Sequence, residues 1–223
     1  MEKVVAALWA PPAERTALAA ALRAAGATRI RLNLRDAAVA SGAGHVQRWQ
    51  EPDAVAQFWL PSANPRFFAA AADALAAASE RFAAWLVTES TVIANIAHPS
   101  VEGERTWGWS QATFLAFRPD LDPPAAEAHW RTRHTEVAIE TQANFEYVQN
   151  RVVRALTPDA PAYDAFIEEC FPIEALTDPH AFFDAVGDEP KYHANLATMM
   201  ESCGAFIDFT RIDVIPTSQY DFA

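Results

Sequence analysis

The chain is poor in the residues that build many kinds of specialised site. Its 223 residues include 7 glycines, 3 methionines and 2 cysteines. The glycines are scattered, and Gly42-Ala43-Gly44 lacks both a third glycine and the strand-to-helix setting of a dinucleotide-binding turn. No phosphate-cradling loop or nucleophile elbow occurs, which disfavours nucleotide chemistry and serine hydrolysis. Cys170 and Cys203 are too few for a disulfide framework and have no zinc spacing. Both read as reduced thiols, Cys170 as a small apolar residue inside a strand. His45, His98, His180 and His193 fall in loops or at helix starts with no paired-ligand spacing, so no metal is expected.

Positive charge is also scarce. Lys and Arg number 17 against 29 Asp and Glu, for a net charge of −12 and a pI near 4.8. No basic cluster exists to displace counterions from a phosphate backbone, so no nucleic-acid partner is expected. The acidic surface argues against anionic membranes, and no apolar run approaches the ~18 residues that span a bilayer. Met1-Glu2-Lys3-Val4 opens on a strand pattern without a basic and then apolar leader. A soluble, cytoplasmic protein is the expectation. The apolar fraction of 51% is ample for a core in one large domain or two small ones.

Strand and helix signals run in the same order twice. The first half predicts strands at 3–9, 28–34, 54–60 and near 86–95, with helices from about Ala13 to Ala25 and from about Pro65 to Ala84. The second predicts strands at 111–118, 145–156, 163–171 and 205–215, with helices over Pro123–Gln142 and Pro179–Val186. Each half therefore reads β-α-β-β-α-β, a ferredoxin-like unit. Pro65-Arg66-Phe67-Phe68 is echoed by Pro179-His180-Ala181-Phe182-Phe183, at an offset near half the chain. The expected organisation is one unit over 1–96, a linker rich in Gly, Pro and charge ending at Trp107 and Trp109, and a second over 110–217. A short extra helix is expected within Gly187–Gly204 from the spacing of Tyr192, Leu196, Met199 and Met200. The tail from Pro216 to Tyr220 has no period and could dock on a neighbouring subunit.

The richest local signal lies in the second half. On a helix, Trp130, His134, Val137, Ala138 and Thr141 share one face. That face is apolar and should carry the imidazole inward. His129 lies about 140° around a regular helix from His134, so the two should not chelate one metal from one face. In the strand that follows, Tyr147 shares a face with Gln149, while Asn150 faces the other way. Glu168 and Glu169 must likewise face opposite sides, and an inward carboxylate would be costly unless paired or protonated.

The runs Phe114-Leu115-Ala116-Phe117-Arg118-Pro119, Trp130-Arg131-Thr132-Arg133-His134 and Tyr147-Val148-Gln149-Asn150 together resemble the EthD domain family, over roughly Gln111 to Ile215. The resemblance implies an α+β fold, a dimeric α+β barrel whose two ferredoxin-like sheets would here come from the tandem halves of one chain. The first half has neither Trp nor His at the matching helix positions, so one working pocket per chain is expected, in the second half. Members of this fold group include cofactor-free monooxygenases, cyclases, decarboxylases and dehydratases, so fold alone does not name the reaction.

The expected activity is cofactor-independent acid–base chemistry of the lyase, cyclase, dehydratase or decarboxylase type, on a small aromatic or polyketide-like carbonyl compound. The alternatives are a cofactor-free monooxygenase or a non-catalytic small-molecule-binding protein. His134 is the candidate base, supported by Tyr147 and Asp208 as catalytic residues. Trp130, Gln149, Asn150, Phe183 and Met199 are the candidate substrate contacts. The partner is a small apolar or aromatic molecule, the assembly a homodimer, and no cofactor is expected.

Overall fold

The computed structural model describes residues 1–11 and 14–222. Among the described residues eight strands form the sheet: β1 (Glu2–Trp9), β2 (Thr28–Leu34), β3 (Ala54–Leu60), β4 (Arg81–Ile93), β5 (Trp109–Phe117), β6 (Glu146–Ala155), β7 (Ala165–Phe171) and β8 (Ile207–Phe222). Helices α1 (Arg15–Ala24) and α2 (Pro65–Ala78) flank the first half. The second half carries α3 (Pro123–His129), a π-helical turn (Trp130–His134), α4 (Thr135–Thr141), α5 (Pro179–Phe182) and α6 (Glu189–Gly204).

The strands close into an all-antiparallel barrel in the order β1-β3-β2-β8-β5-β7-β6-β4. Two long strands make the closure possible. β4 pairs with β1 through its first half and with β6 through its second, while β8 pairs first with β5 and then with β2. No sheet edge is left open between them, which removes the aggregation hazard of an unpaired strand. No described helix is long and apolar enough to cross a membrane.

Three segments depart from the sequence reading. The alanine run after Pro65 predicted helix to about Ala84, yet α2 stops at Ala78 and Arg81 already pairs with Trp9. Ladder bonds to β1 outweigh the helical preference of Phe82-Ala83-Ala84, which is only a few tenths of a kcal/mol per residue. In the second half the long helix before the last strand is α6, of 16 residues, whereas the segment at Pro179 is a single turn of 4. Asp188 caps α6 by accepting from the Lys191 amide. The tail is not free to dock elsewhere, because residues 218–222 pair with β2. The expected helix start at Ala13 lies outside the described residues.

Period-two alternation divides side chains between the barrel interior and the two outer layers. Outside, α1 and α2 cover a tight cluster including Leu18, Leu22, Phe58, Phe68 and Leu75. Inside, one end is apolar, built on Trp85, Phe114, Phe166 and Ile215. The other end is charged. Arg31 from β2 reaches Glu146 at 2.7 Å, Glu168 at 3.0 Å and Asp221 at 2.6 Å, all on strands of the second half. Fully buried Glu168 also accepts from Gln57, Ser110 and Gln219 at 2.8–3.0 Å and from Asn33. Burial alone would raise its pKa, but Arg31 and these donors hold it at about 2.

Removing Arg31 would leave two carboxylates buried without a cation. Arg31→Met is therefore expected to destabilise the fold by about 3–5 kcal/mol, measured by denaturant unfolding. A loss under ~1 kcal/mol would show that this cluster does not tie the halves together.

Candidate active site

The face of the second-half sheet that looks toward the helices carries a polar row. Gln111 on β5 stands opposite Glu169 on β7, and Glu169 stands opposite Tyr147 on β6. The next row runs Thr113, Ile167, Gln149. Above them lies a cavity of about 280 Å³ whose walls include Trp130, His134, Phe183, Met199, Tyr147 and Glu169. His45 and Gln47, from the connection between β2 and β3, complete its rim. In the first half, the corresponding layer between sheet and helices is filled by the Leu22, Phe58 and Phe68 cluster.

Glu169 is the group whose environment is most unusual. It is 7% exposed and accepts from Asn144 at 3.0 Å and, weakly, from Gln111 at 3.4 Å. Burial pushes its pKa from 4.5 to about 7, with the two amides offsetting only part of that penalty. Such a carboxyl is shared between acid and base forms at neutral pH, the condition for proton transfer in either direction. Adjacent Glu168, turned into the barrel against Arg31, is ionised throughout. The sequence established only that the two must point apart.

His134 lines the cavity but is held neutral. Burial, with a smaller contribution from His129, lowers its pKa to about 4. Its Nδ1 lies 3.0 Å from the Ser202 hydroxyl and its ring 4.8 Å from that of Phe206. A local irregularity creates this arrangement. The Thr135 amide reaches back five residues to the Trp130 carbonyl, and the Thr135 hydroxyl donates to the same oxygen at 2.9 Å. The wider π turn changes the angular offset along the helix. His129 therefore also reaches Ser202, with its Nε2 3.2 Å from the carbonyl. Both imidazoles thus meet at Ser202, His134 at its hydroxyl and His129 at its carbonyl.

The remaining expected residues divide. Trp130, Phe183, Met199 and Tyr147 are brought together around the cavity. The Tyr147 hydroxyl accepts from Gln149 at 2.8 Å and is also bonded by Trp130; burial and Glu169 raise its pKa. Gln149 sits behind this wall, donating to Tyr147 and to the Thr135 hydroxyl at 2.8 Å. It orients its neighbours and is not part of the cavity surface. Asn150 faces the barrel interior, fully buried, and is not a substrate contact. Asp208 is also placed away from the cavity. It accepts from Thr210 and Arg211 in a local turn, and those bonds lower its pKa to about 2.

His45, which the sequence placed in a loop with no metal-ligand spacing and to which it gave no role, reaches the cavity from the first half and lies against Trp109 and Phe182 at 5.0 and 5.2 Å between ring centroids. No local pattern could have signalled it, since the contact exists only after barrel closure. Gly108 precedes β5 at φ +81°, and a Cβ there would strike the Phe171 carbonyl, so glycine is required at that entry. Among the described residues no group of three or more His, Cys, Asp or Glu side chains is placed to hold a metal ion.

Residues 118–210 match the EthD domain family. That span includes the π turn, β6, β7 and α6 but neither Gln111 nor Thr113. Two solved structures resemble the chain almost end to end. One, an anthrone oxidase-like protein, has a TM-score of 0.51 at 8% identity, over 99% of this chain and 93% of that one. The other, described as a "putative monooxygenase" from Lactobacillus acidophilus, has a TM-score of 0.51 at 10% identity, over 100% and 95%. At such identities the likeness is one of fold. No curated protein matches the chain.

The raised carboxyl has a signature in stability. Between pH 4.5 and about 7 the folded chain holds a proton on Glu169 that the unfolded chain has lost, so stability falls as pH rises through that window. Glu169→Gln should abolish this slope and stabilise the protein by up to about 3 kcal/mol above pH ~7. His134 acts in the opposite sense, its stability contribution being lost as pH falls from 6.5 toward about 4. Denaturant titrations of parent and variant at about pH 5 and about pH 8 isolate the Glu169 contribution; equal differences at both would refute the raised pKa.

Proposed function

We propose that the chain is a cofactor-independent acid–base enzyme that removes a proton from a small aromatic or polyketide-like carbonyl compound. The observation that carries this reading is Glu169, half-ionised near neutrality in an otherwise largely apolar cavity. Its carboxylate takes the proton alpha to the carbonyl, or from a phenol, while Asn144 and Gln111 hold the carboxyl in place. Removal of water strengthens every electrostatic interaction with the enolate that results. The carboxylic acid then returns the proton to the alkoxide formed when the enolate closes a ring, or to the hydroxyl that leaves as water in a dehydration; in a decarboxylation its part is to protonate the carbanion left by loss of CO2.

His134 is in this reading a positioning residue. At a pKa of about 4 it is a weaker base than Glu169 at neutral pH. As a neutral imidazole fixed on Ser202 it can orient a substrate by a hydrogen bond. Tyr147 and Trp130 shape the aromatic slot. A second reading keeps the same proton abstraction but lets the carbanion meet dioxygen. The names of the two structural neighbours, an anthrone oxidase-like protein and a monooxygenase, favour it. We read the chain further as tandem ferredoxin-like units, 1–96 and 110–217, in a homodimeric cytoplasmic protein.

Turnover of a panel of aromatic ketones, followed by mass spectrometry together with ligand-induced melting shifts, tests the reading. Glu169→Gln should lower kcat by about 100-fold or more while keeping the melting shift. The parent's kcat should rise with pH through about 7. Comparing products under air and under nitrogen separates the two reaction types. Melting shifts with no product from the parent would establish a binding protein instead, and a Glu169→Gln variant with full activity would remove Glu169 as the base.

A further inference from the structure

Two buried polar atoms in the cavity wall have no partner within the protein: the Gln142 side-chain oxygen and the Thr113 hydroxyl. Gln142 is 9% exposed and Thr113 is 7% exposed. Buried polar groups are paired in the great majority of folded proteins, so each orphan calls for a reason. Other unpartnered buried atoms, among them both side-chain amide atoms of Asn150, lie elsewhere in the chain, but these two line the cavity that holds Glu169. Gln142 closes the end of α4 above the cavity, while Thr113 stands on β5 in its floor, beside the row that holds Glu169.

The two atoms differ in what they can accept. The Gln142 amide oxygen takes only a donor, an O–H or N–H. A carbonyl or ether oxygen from the ligand cannot satisfy it. The Thr113 hydroxyl can donate to a carbonyl or accept from a hydroxyl. We infer that Gln142 reads a hydroxyl on the ligand and Thr113 its carbonyl, so that the compound bound is a hydroxylated aryl ketone. Gln142 accepts from its phenolic O–H and Thr113 bonds its carbonyl oxygen. This rests on the aromatic carbonyl reading above and narrows it.

The physical consequence is selectivity by omission. A ligand without the hydroxyl enters a cavity of the right shape but leaves the amide oxygen unpaired and dry, and a site built for a hydroxyl rejects such analogues strongly. Met199, Met200 and Phe209 supply contact area but no such discrimination, because apolar walls accept an aryl ketone with or without the substituent.

The probes are a hydroxytetralone, its methyl ether and the unsubstituted tetralone, with affinities measured by calorimetry on the parent protein, Gln142→Leu and Thr113→Val. The parent should bind the hydroxytetralone at least tenfold more tightly than the ether or the unsubstituted ketone. Gln142→Leu should erase that preference while leaving tetralone affinity unchanged or improved. Thr113→Val should weaken all three ketones together. Equal binding of the three by the parent would overturn the assignment while leaving the carbonyl reading intact, and no variant is needed to see it. A preference that survives Gln142→Leu would place the hydroxyl elsewhere. Failure of the parent to bind any of the three would overturn both this inference and the aromatic ketone reading.

Discussion

Arg31 in the barrel interior decides which way the second half faces. Its guanidinium takes Glu146, Glu168 and Asp221 from three strands of the other half. Taking those charges out of water is tolerable only while they stay together. The cluster thus fixes β7 with Glu168 inward. Because strand side chains alternate, fixing Glu168 inward forces Glu169 outward, under the helices and into the cavity. A slip of one residue would put Glu169 against Arg31 and Glu168 in the apolar pocket. The interior ion cluster and the candidate base are therefore one constraint seen from two faces of a strand.

Two adjacent, chemically identical carboxyls illustrate how environment sets role. Both are buried, so desolvation raises the pKa of each; for Glu168 a cation and three side-chain amides outweigh it, whereas Glu169 has only two amides. The outcome is about 2 for one and about 7 for the other. The first is a structural anion. The second is poised for proton transfer. Placing such a group on a rigid strand, flanked by ladder partners, gives it a better-defined position than a loop would.

Much of the barrel was legible in the sequence because its strands alternate and its helices show an apolar face. The strand at Ala54–Leu60 and the inward face of Trp130, with His134 on the cavity wall, follow from period alone. What could not be read were features created by closure. Asp208 alternated plausibly with Phe206, but a local turn to Arg211 claimed it. Asn150 belonged to a motif yet faced the barrel interior. His45 became a cavity wall only when the first half closed onto the second. The π turn was hidden for a different reason: the pattern from Pro123 to Gln142 fits a regular helix throughout, and one shifted backbone bond at Thr135 changes which imidazoles meet.

That shifted bond also bears on why the layer between sheet and helices packs differently in the two halves of the chain. In the first half, large side chains from strand and helices fill the layer between them, and the space is spent on stability. In the second, the π turn and the histidines bonded to Ser202 hold the helical layer by polar contacts, including Arg131 to Glu127 at 2.8 Å and Asn195 to the Phe183 carbonyl at 2.8 Å. Polar pins at the edges let the middle stay open without collapse of the roof. An empty apolar cavity costs stability, as do a raised carboxyl and unpaired amide and hydroxyl oxygens. The cavity, the raised carboxyl of Glu169 and the unpaired oxygens of Gln142 and Thr113 fall at one place in the fold. A ligand that fills the cavity and bonds the orphan atoms would relieve the packing and pairing costs together.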